Sequence, residues 1–348
     1  MDSKVCYTKS ITPIDDYICT LPLDTQKLAE EELRETETTR TQAIEALREW
    51  AQQNPRIKSL RLDANFLLRF LRCKKFSIPM AKEMIERYLV LRHYTYDNMK
   101  PFQNFDMNMP VMQELLDAGY IFACPKRDHL NRRIIMIRPG VFNPSKHFNY
   151  EMVKLHGIAF ETLMEDEMNH IHGFVYIIDS TGLAFHYLTL FTPHEAYRIG
   201  RNLEKVVPMR HKSIHGLKVH PSLKFTVDFA LSQMSEKMRK RVTLYKNIED
   251  ITVDKNLLPA EYGGQIPMKE MISAFKKELE SKRSIILKND NSDVFLEMYP
   301  EPVRNGSVRS LKTTIDDLEA QLNKNNNNGF SKIELQGVQG SFRKLEID

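Results

Sequence analysis

Apolar residues from Leu28 to about Lys100 recur every three or four positions, which predicts a small all-helical unit. In the run DANFLLRFLRC, Asp63 precedes the first apolar residue and is a predicted N-cap. The next helix is expected to begin after Ser77, a second predicted cap, with Pro79 in its first turn. Residues 1–27 are polar, and we expect a flexible arm there.

After residue 100 the pattern changes. Two β-rich segments, Gly119–Pro125 and Arg133–Arg138, flank the polar turn KRDHLN and predict a hairpin. Apolar residues at helical spacing predict a helix over Asn149–Glu167. The following run, GFVYIIDS, is almost unbroken in its apolar character, which is typical of a strand covered on both faces.

The next segments continue to alternate. The pattern predicts a helix from Thr192 to about Val207, a strand over Lys212–Val219, a helix over Ser222–Arg241 and a strand over Val242–Tyr245. This alternation of helices and strands predicts an α/β fold with some parallel pairing.

The C-terminal region is polar. A helix is predicted over Met268–Lys282, followed by the linker-like segments NDNSD, PEPVRNGS and NKNNNNG. The expected organisation is therefore an arm (1–27), a helical domain (28–100), an α/β domain (101–267) and a C-terminal helix with a low-complexity tail (268–348).

Composition limits the class of protein to which the chain can belong. The chain has 348 residues, of which 42% are hydrophobic and 28% charged, as in ordinary globular proteins. Its apolar runs are far shorter than the roughly 18 residues of a transmembrane helix, and its first residues lack the apolar core of a signal peptide. Four widely spaced cysteines (Cys6, Cys19, Cys73 and Cys124) are expected to be reduced thiols. We therefore expect a cytoplasmic protein.

Positive charge is concentrated in Arg201–Lys246. Eleven Lys and Arg against three acidic residues give this stretch a net charge of +8, whereas the whole chain carries only +4. A basic island on a mildly acidic body indicates an anionic partner. Because its apolar residues are mainly aliphatic and no nucleic-acid motif is present, we expect a membrane rather than a nucleic acid.

The predicted helix inside this island carries apolar residues on two opposite sides. One interpretation is a helix buried between two layers. The other is a lid, with one face over an apolar cavity and the other against lipid. The predicted lid, or gate, residues are Leu223, Phe225, Val227, Phe229, Leu231 and Met234.

No catalytic or nucleotide-binding motif is present: the sequence has no Walker loop, no GxGxxG after a strand, no GxSxG and no HExxH. The histidine pairs near residues 170 and 211 lack further ligands at metal-binding spacing. Asp179 ends a buried strand, and we interpret it as a carboxylate that caps the turn STG. A hydrolase that uses Asp179 with His215 or His220 is the weakest alternative. The acidic run Glu165–Glu167 is interpreted as a solvated helix end.

Three segments, in the order Asp63–Phe76, Gly173–Gly182 and Leu258–Gly264, resemble motifs of the CRAL-TRIO lipid-binding family. Within it the chain is most similar to the group of the α-tocopherol transfer protein, retinaldehyde-binding protein and clavesin, including insect α-tocopherol transfer protein-like members. The resemblance covers about residues 30–267. It implies a helical N-terminal unit followed by a mixed sheet that floors an apolar pocket under a helical gate at about Pro221–Met238.

The resemblance also implies a non-enzymatic carrier with no cofactor besides its lipophilic ligand, which could be tocopherol-, retinoid- or carotenoid-like or a phospholipid. The gate is one residue shorter than is usual in the family, so the resemblance leaves open which of its faces meets the ligand. The implied pocket wall consists of Val153, His156, Phe160, Phe174, Ile178, Ile199, Leu203 and Ile214.

Four basic positions match the phosphoinositide-binding cleft of the α-tocopherol transfer protein: Arg210, Lys212, Lys237 and Arg241. From this resemblance we expect peripheral association with endosomal or plasma membranes. We also expect a monomer. The alternative function is a lipid-gated scaffold that binds a protein partner through residues 268–348.

Overall fold

The computed structural model describes residues 10–11, 17–95, 99–183, 187 and 205–304. The helices are α1 (Leu23–Leu33), α2 (Glu37–Gln53), α3 (Ala64–Cys73), α4 (Ile78–Arg92), α5 (Pro110–Asp117), α6 (Asn149–Leu163), α7 (Glu167–His172), α8 (Lys224–Ser232), α9 (Glu236–Arg239), α10 (Met268–Lys288) and α11 (Glu301–Arg304). The strands are β1 (Ser10–Ile11), β2 (Ile57–Leu60), β3 (Ile121–Arg127), β4 (Arg133–Ile137), β5 (Phe174–Asp179), β6 (His211–Leu217), β7 (Val242–Tyr245) and β8 (Asp293–Val294).

Helices α2, α3 and α4 pack around one apolar core in the N-terminal unit. Phe66, Phe70 and Tyr88 form its centre, with ring centroids 5.3–5.9 Å apart in edge-to-face geometry. The prediction of Asp63 as the cap of α3 is confirmed, because its carboxylate accepts a hydrogen bond from the Phe66 amide at 3.1 Å. Ser77 occupies the N-cap position of α4, but its side chain makes no capping bond.

A five-stranded mixed sheet forms the second unit, in the order β3-β4-β5-β6-β7. The predicted hairpin is confirmed as the antiparallel pair β3–β4, and β4 to β7 pair in parallel. In this register Ile135, Tyr176 and Ile214 are neighbours across three strands and share one face of the sheet. Helices α6 and α10 pack on this sheet and on each other.

Both ends of the described chain are more ordered than the sequence predicts. In the predicted arm, Leu21 and Thr25 are buried and α1 begins at Leu23. In the predicted tail, α10 continues to Lys288, and β8 pairs with β2 of the N-terminal unit. Asn289 and Asp290, which follow α10, bind the buried guanidinium groups of Arg61 and Arg92, which composition alone does not reveal.

The predicted helix over Ser222–Arg241 is interrupted. It divides into a 3₁₀ turn, α8 and α9, and α9 begins at a new N-cap, where Ser235 accepts a hydrogen bond from the Met238 amide at 3.2 Å. The helix predicted from Thr192 lies mostly outside the described residues. None of the described helices is long and apolar enough to cross a lipid bilayer.

Candidate functional site

Two of the predicted phosphoinositide-binding residues share a single carboxylate. The Arg210 guanidinium and the Lys212 ammonium both pair with Glu32 of α1, the latter at 3.2 Å. Glu32 is partly exposed, and its pKa is lowered because the two cations outweigh the effect of partial burial. The sequence held no local signal for Glu32, which lies 178 positions from Arg210.

A third predicted cation, Arg241, belongs to the same neighbourhood. Its guanidinium donates to the His211 carbonyl, at the start of β6. The pKa of Lys212 is lowered, first by burial and then by the positive charges of Arg210 and Arg241, although Glu32 opposes the shift. We call Arg210, Lys212 and Arg241 the cation cluster. Lys237 is exposed on α9, four residues before Arg241.

A glycine sets the position of this cluster. Gly173 adopts a φ of +76°, and a Cβ atom there would lie 2.3 Å from the Arg210 carbonyl oxygen. The close approach lets the Phe174 amide donate to that carbonyl at 2.9 Å, which joins β5 to the residue before β6. The central sequence motif therefore holds the backbone of the cation cluster in place.

The structure places some of the predicted pocket-wall residues close to one another. Val153, His156 and Phe160 lie within about 60° of one another around α6, by the helical step of 100° per residue. The Phe160 ring lies 6.3 Å from the ring of Tyr176 on β5, so this face of α6 faces the sheet. Ile214 is the β6 neighbour of Tyr176.

The remaining wall residues differ in position. Ile178 of β5 is half-buried, as are Val153 and His156, so each of these side chains keeps accessible surface. Phe174 is fully buried and contributes to the core. Ile199 and Leu203 lie outside the described residues.

Polar aromatic side chains that the sequence analysis did not select complete this region. The Tyr120 hydroxyl hydrogen-bonds His156 Nε2 at 3.0 Å, and the Tyr176 hydroxyl hydrogen-bonds His211 Nδ1 at 2.8 Å. Burial lowers the pKa of His156 to about 4 and raises the pKa of Tyr120 and of Tyr176. At neutral pH His156, Tyr120 and Tyr176 are therefore uncharged hydrogen-bonding groups.

The predicted gate residues lie at the surface. None of the residues of α8 is buried, and Phe225 is 79% exposed. Val227, Phe229 and Leu231 are half-buried, and Met234 packs against the main core from the turn that follows α8. Leu223, in the preceding 3₁₀ turn, is buried. The structure thus contradicts a helix buried between two layers and leaves an apolar surface helix before Lys237 and Arg241.

The hydrogen bonds of Asp179 are those of a residue that stabilises the fold. It accepts hydrogen bonds from the Thr181 amide at 3.0 Å and the Thr181 hydroxyl at 2.6 Å, as a turn-capping carboxylate does, and from the Tyr262 hydroxyl. His215 bonds to Ser213 and Tyr245 instead, and His220 to Ser222. Within the described part of the chain, neither histidine forms a catalytic pair with Asp179.

The acidic run Glu165–Glu167 is not a solvated helix end, contrary to the sequence interpretation. Glu165 accepts from Arg61 at 2.9 Å and from Arg69 at 2.7 Å, and Glu167 accepts from Arg72 at 2.7 Å. These ion pairs join α3 to the α6–α7 region. We call the group the arginine interface; it comprises Arg61, Arg69 and Arg72 with Glu35, Asp63, Glu161, Glu165 and Glu167.

An open groove of about 790 Å³ lies elsewhere, between α5 and α10. Met107, Gln113, Met268, Ile272 and Lys276 are among its lining residues, and none of the predicted pocket residues lines it. Its floor is formed by the outer surfaces of these two helices, so it is distinct from the region between α6 and the sheet.

Comparison with known proteins gives two family matches. The model of the CRAL/TRIO domain matches residues 117–264, and that of the Pinta-like UBA domain matches residues 36–111. The first range contains the mixed sheet, the candidate pocket and the cation cluster. The second contains α2 to α4 and the start of α5.

Similar curated proteins extend over most of the chain. Clavesin-2 of Mus musculus is 26% identical over 284 residues, which are 81% of this chain and 84% of the relative. Alpha-tocopherol transfer protein-like of Homo sapiens is 27% identical over 254 residues, 71% and 72% of the two chains. The crystal structure of Sfh5 has a TM-score of 0.49 and 11% identity, and the similarity covers 73% of this chain and 99% of that one.

The family-model match and the two curated relatives confirm the resemblance based on the three motifs. The described structure confirms the expected α/β fold with a helical N-terminal unit. The family match also supports a lipid-binding protein over an enzyme, the alternative that had rested on Asp179. Residues 117–264 therefore match the CRAL/TRIO domain, and the chain is similar to clavesin-2 and to alpha-tocopherol transfer protein-like over most of its length.

Proposed function

We propose that this protein is a non-enzymatic carrier that binds a small lipophilic ligand between α6 and the five-stranded sheet and exchanges it at phosphoinositide-containing membranes. The observation that carries the proposal is the cation cluster together with an exposed apolar helix, α8, that lies between Lys212 and Arg241 in the chain. Arg210 and Lys212 have one carboxylate between them, and α8 exposes Phe225 a short distance along the chain.

Electrostatics favour a multiply charged anion at this position. The lowered pKa of Lys212 reflects repulsion by Arg210 and Arg241 as well as burial. A phosphorylated headgroup would relieve this repulsion and accept charge-assisted hydrogen bonds from the cluster. Exposed Lys237 would add attraction to an anionic surface, roughly 1 kcal/mol for one cation near the membrane.

A membrane is the source of phosphate that fits the neighbouring helix. Side chains such as Phe225 lose apolar surface to lipid when α8 docks, and that burial is favourable. The relatives named alpha-tocopherol transfer protein-like support a transfer function. We accordingly propose a cytoplasmic protein with peripheral membrane association.

The carrier proposal is tested by native mass spectrometry of the purified protein, followed by a vesicle-to-vesicle transfer assay. We expect a stoichiometric lipophilic molecule to co-purify, and we expect the protein to accelerate its transfer between vesicles. A protein that remains empty after incubation with extracted cellular lipids, and that accelerates no transfer, would contradict the proposal.

A further inference from the structure

An exposed hydroxyl lies two residues after Arg241 of the cation cluster. Thr243 of β7 has an exposed side chain, and its hydroxyl makes no hydrogen bond within the part of the chain that the structure describes. Nearby hydroxyls are engaged, because Ser213 bonds His215 at 3.0 Å and Ser235 caps α9. Thr243 therefore remains accessible to an enzyme that modifies hydroxyl groups.

The strand that carries Thr243 lies at the edge of the sheet. Among the described residues β7 pairs only with β6, and none of its four residues is buried. Leu244, the next residue, is 47% exposed. Because few packing contacts hold such a strand, it opens locally at less cost than a central strand. An enzyme can therefore bind this segment as an extended chain.

The residues around Thr243 are basic. Positive side chains stand four, three and two positions before it: Arg239, Lys240 and Arg241. No acidic residue occurs in residues 237–246. Lys240 pairs with Glu236 at 2.9 Å, but both side chains are largely exposed, and such pairs are weak. Kinases discriminate substrates by charge patterns, and this pattern fits a kinase with an acidic substrate cleft.

A phosphate on Thr243 would lie on the same side of the chain as the Arg241 side chain. The Arg241 carbonyl accepts from the Ile214 amide at 2.8 Å, so the extended pairing already includes Arg241, and residues two apart in a strand share a face. A phosphothreonine carries a charge of about −1.5 to −2 at pH 7 and three strong acceptor oxygens. It would therefore neutralise part of the cation cluster and repel a second anion.

We propose that Thr243 is a phosphorylation site and that its phosphate pairs with the cation cluster, which releases the protein from phosphoinositide-containing membranes. A kinase transfers the γ-phosphoryl group of ATP: a bond forms between the γ-phosphorus and Thr243 Oγ1, the bond to the bridging oxygen breaks, and ADP leaves. The hydroxyl proton passes to a carboxylate of the kinase. The effect on membranes rests on the proposed function, whereas the modification itself does not.

The site is tested on the full chain with ATP and the catalytic subunit of cAMP-dependent protein kinase, which has an acidic substrate cleft. Peptide mass spectrometry then locates the phosphate, and we expect it on Thr243. Ser77 is the comparison, because it follows two lysines and its side chain makes no capping bond, but it is half-buried at the start of α4. Ser77→Ala should be phosphorylated at Thr243 as the wild-type protein is.

The effect is measured by co-sedimentation with phosphatidylcholine vesicles that contain phosphatidylinositol bisphosphate. Kinase treatment should weaken binding of the wild-type protein about tenfold or more, as the loss of roughly two charges near an anionic surface predicts. Thr243→Val keeps a β-branched side chain but has no hydroxyl. It should bind as the untreated wild-type protein does, before and after treatment, so it controls for phosphates elsewhere in the chain. Thermal unfolding verifies that the phosphorylated protein is folded.

The outcomes separate this proposal from the membrane proposal. Absence of phosphate from Thr243 would overturn the modification site and leave the membrane proposal intact. Phosphate on Thr243 with unchanged vesicle binding, or an equal loss in the wild-type protein and in Thr243→Val, would overturn its effect on the cation cluster. If the untreated wild-type protein binds no phosphatidylinositol bisphosphate vesicles, exchange at such membranes fails as a function, whatever mass spectrometry finds at Thr243.

Discussion

Two groups of basic side chains contact α7, one through Arg72 and the other through Arg210, and they are neutralised differently. In the arginine interface, Arg69 is fully buried and pairs with both Glu161 and Glu165. In the cation cluster, Arg210 and Lys212 are partly exposed and share Glu32. The difference indicates that the first group stabilises the fold, whereas the second retains capacity to bind an anion.

The arginine interface is also reinforced by geometry. Arg72 donates two bonds of 2.8 Å to Glu35, in the parallel arrangement that suits a guanidinium and a carboxylate. Asn289, which follows α10, accepts from Arg61 at 2.9 Å and donates to Glu161 at 3.1 Å. Segments from the N-terminal unit, the sheet unit and the C-terminal region meet here, so the interface fixes their relative positions.

The largest effect that this comparison predicts follows from Arg69→Ala. The substitution leaves the carboxylates of Glu161 and Glu165 buried with fewer counterions, and we expect a loss of about 3–5 kcal/mol in the free energy of unfolding in urea. The matched control is Lys240→Ala, which breaks an exposed ion pair with Glu236 and should cost less than about 1 kcal/mol. Equal losses in the two variants would contradict a stabilising role for the interface.

A second prediction concerns the stability of the fold at low pH. Burial alone would raise the pKa of Glu165, but Arg69 and Arg61 lower it to about 2. Because this folded-state pKa lies below the ordinary glutamate value of 4.5, the carboxylate stabilises the fold above pH 4.5, and its contribution is lost as the pH falls from 4.5 towards 2. The shift corresponds to about 3 kcal/mol. Urea unfolding between these pH values should show that decline.

Glu165→Gln is the control for the acid experiment. The variant cannot lose a charge at position 165, so the stability gap between it and the wild-type protein should narrow as the pH falls through the same range. A gap that stays constant from pH 4.5 to 2 would show that another group is responsible for the acid sensitivity.

The smallest predicted effect tests the cation cluster. Glu32 competes with any anion for Arg210 and Lys212, so Glu32→Gln should tighten binding to phosphoinositide vesicles by about two- to fivefold, which is the range of an exposed ion pair. Glu31→Gln makes the same change of charge on the same helix and should have a smaller effect. Titration of vesicles monitored by co-sedimentation measures both. Weaker binding by Glu32→Gln would show that Glu32 supports the site instead of competing for it.

The sequence predicted features that depend on local patterns. The hairpin, the buried strand β5 and the cap at Asp63 each arise from residues close together in the chain. The break before α9 also had a local signal, because serine is a favoured N-cap residue and Ser235 caps a separate helix. The apolar pattern that continues across the break concealed this signal.

Long-range partners could not be predicted in this way. Nothing near Glu165 in the sequence indicates Arg61 and Arg69, about a hundred positions away, and nothing near Glu32 indicates Arg210. The polar segment after α10 similarly resembles a linker until Asn289 is placed between Arg61 and Glu161. In each case burial created by the tertiary fold decides the role of the polar side chain. In the proposed pocket, helical spacing grouped Val153, His156 and Phe160. The contact of Tyr120 with His156 depends on the tertiary fold and had no local signal.

The most direct test of the central claim is co-sedimentation with phosphatidylcholine vesicles that contain or lack phosphatidylinositol bisphosphate. We compare the wild-type protein with Arg210→Gln/Lys212→Gln and with Lys277→Gln/Lys282→Gln, a charge-matched control on the exposed side of α10. The account predicts that the first double variant loses most of the phosphoinositide-dependent binding, by about tenfold or more, while the control retains it. Wild-type binding by Arg210→Gln/Lys212→Gln, or an equal loss in both double variants, would contradict the assignment of the cation cluster as the headgroup site.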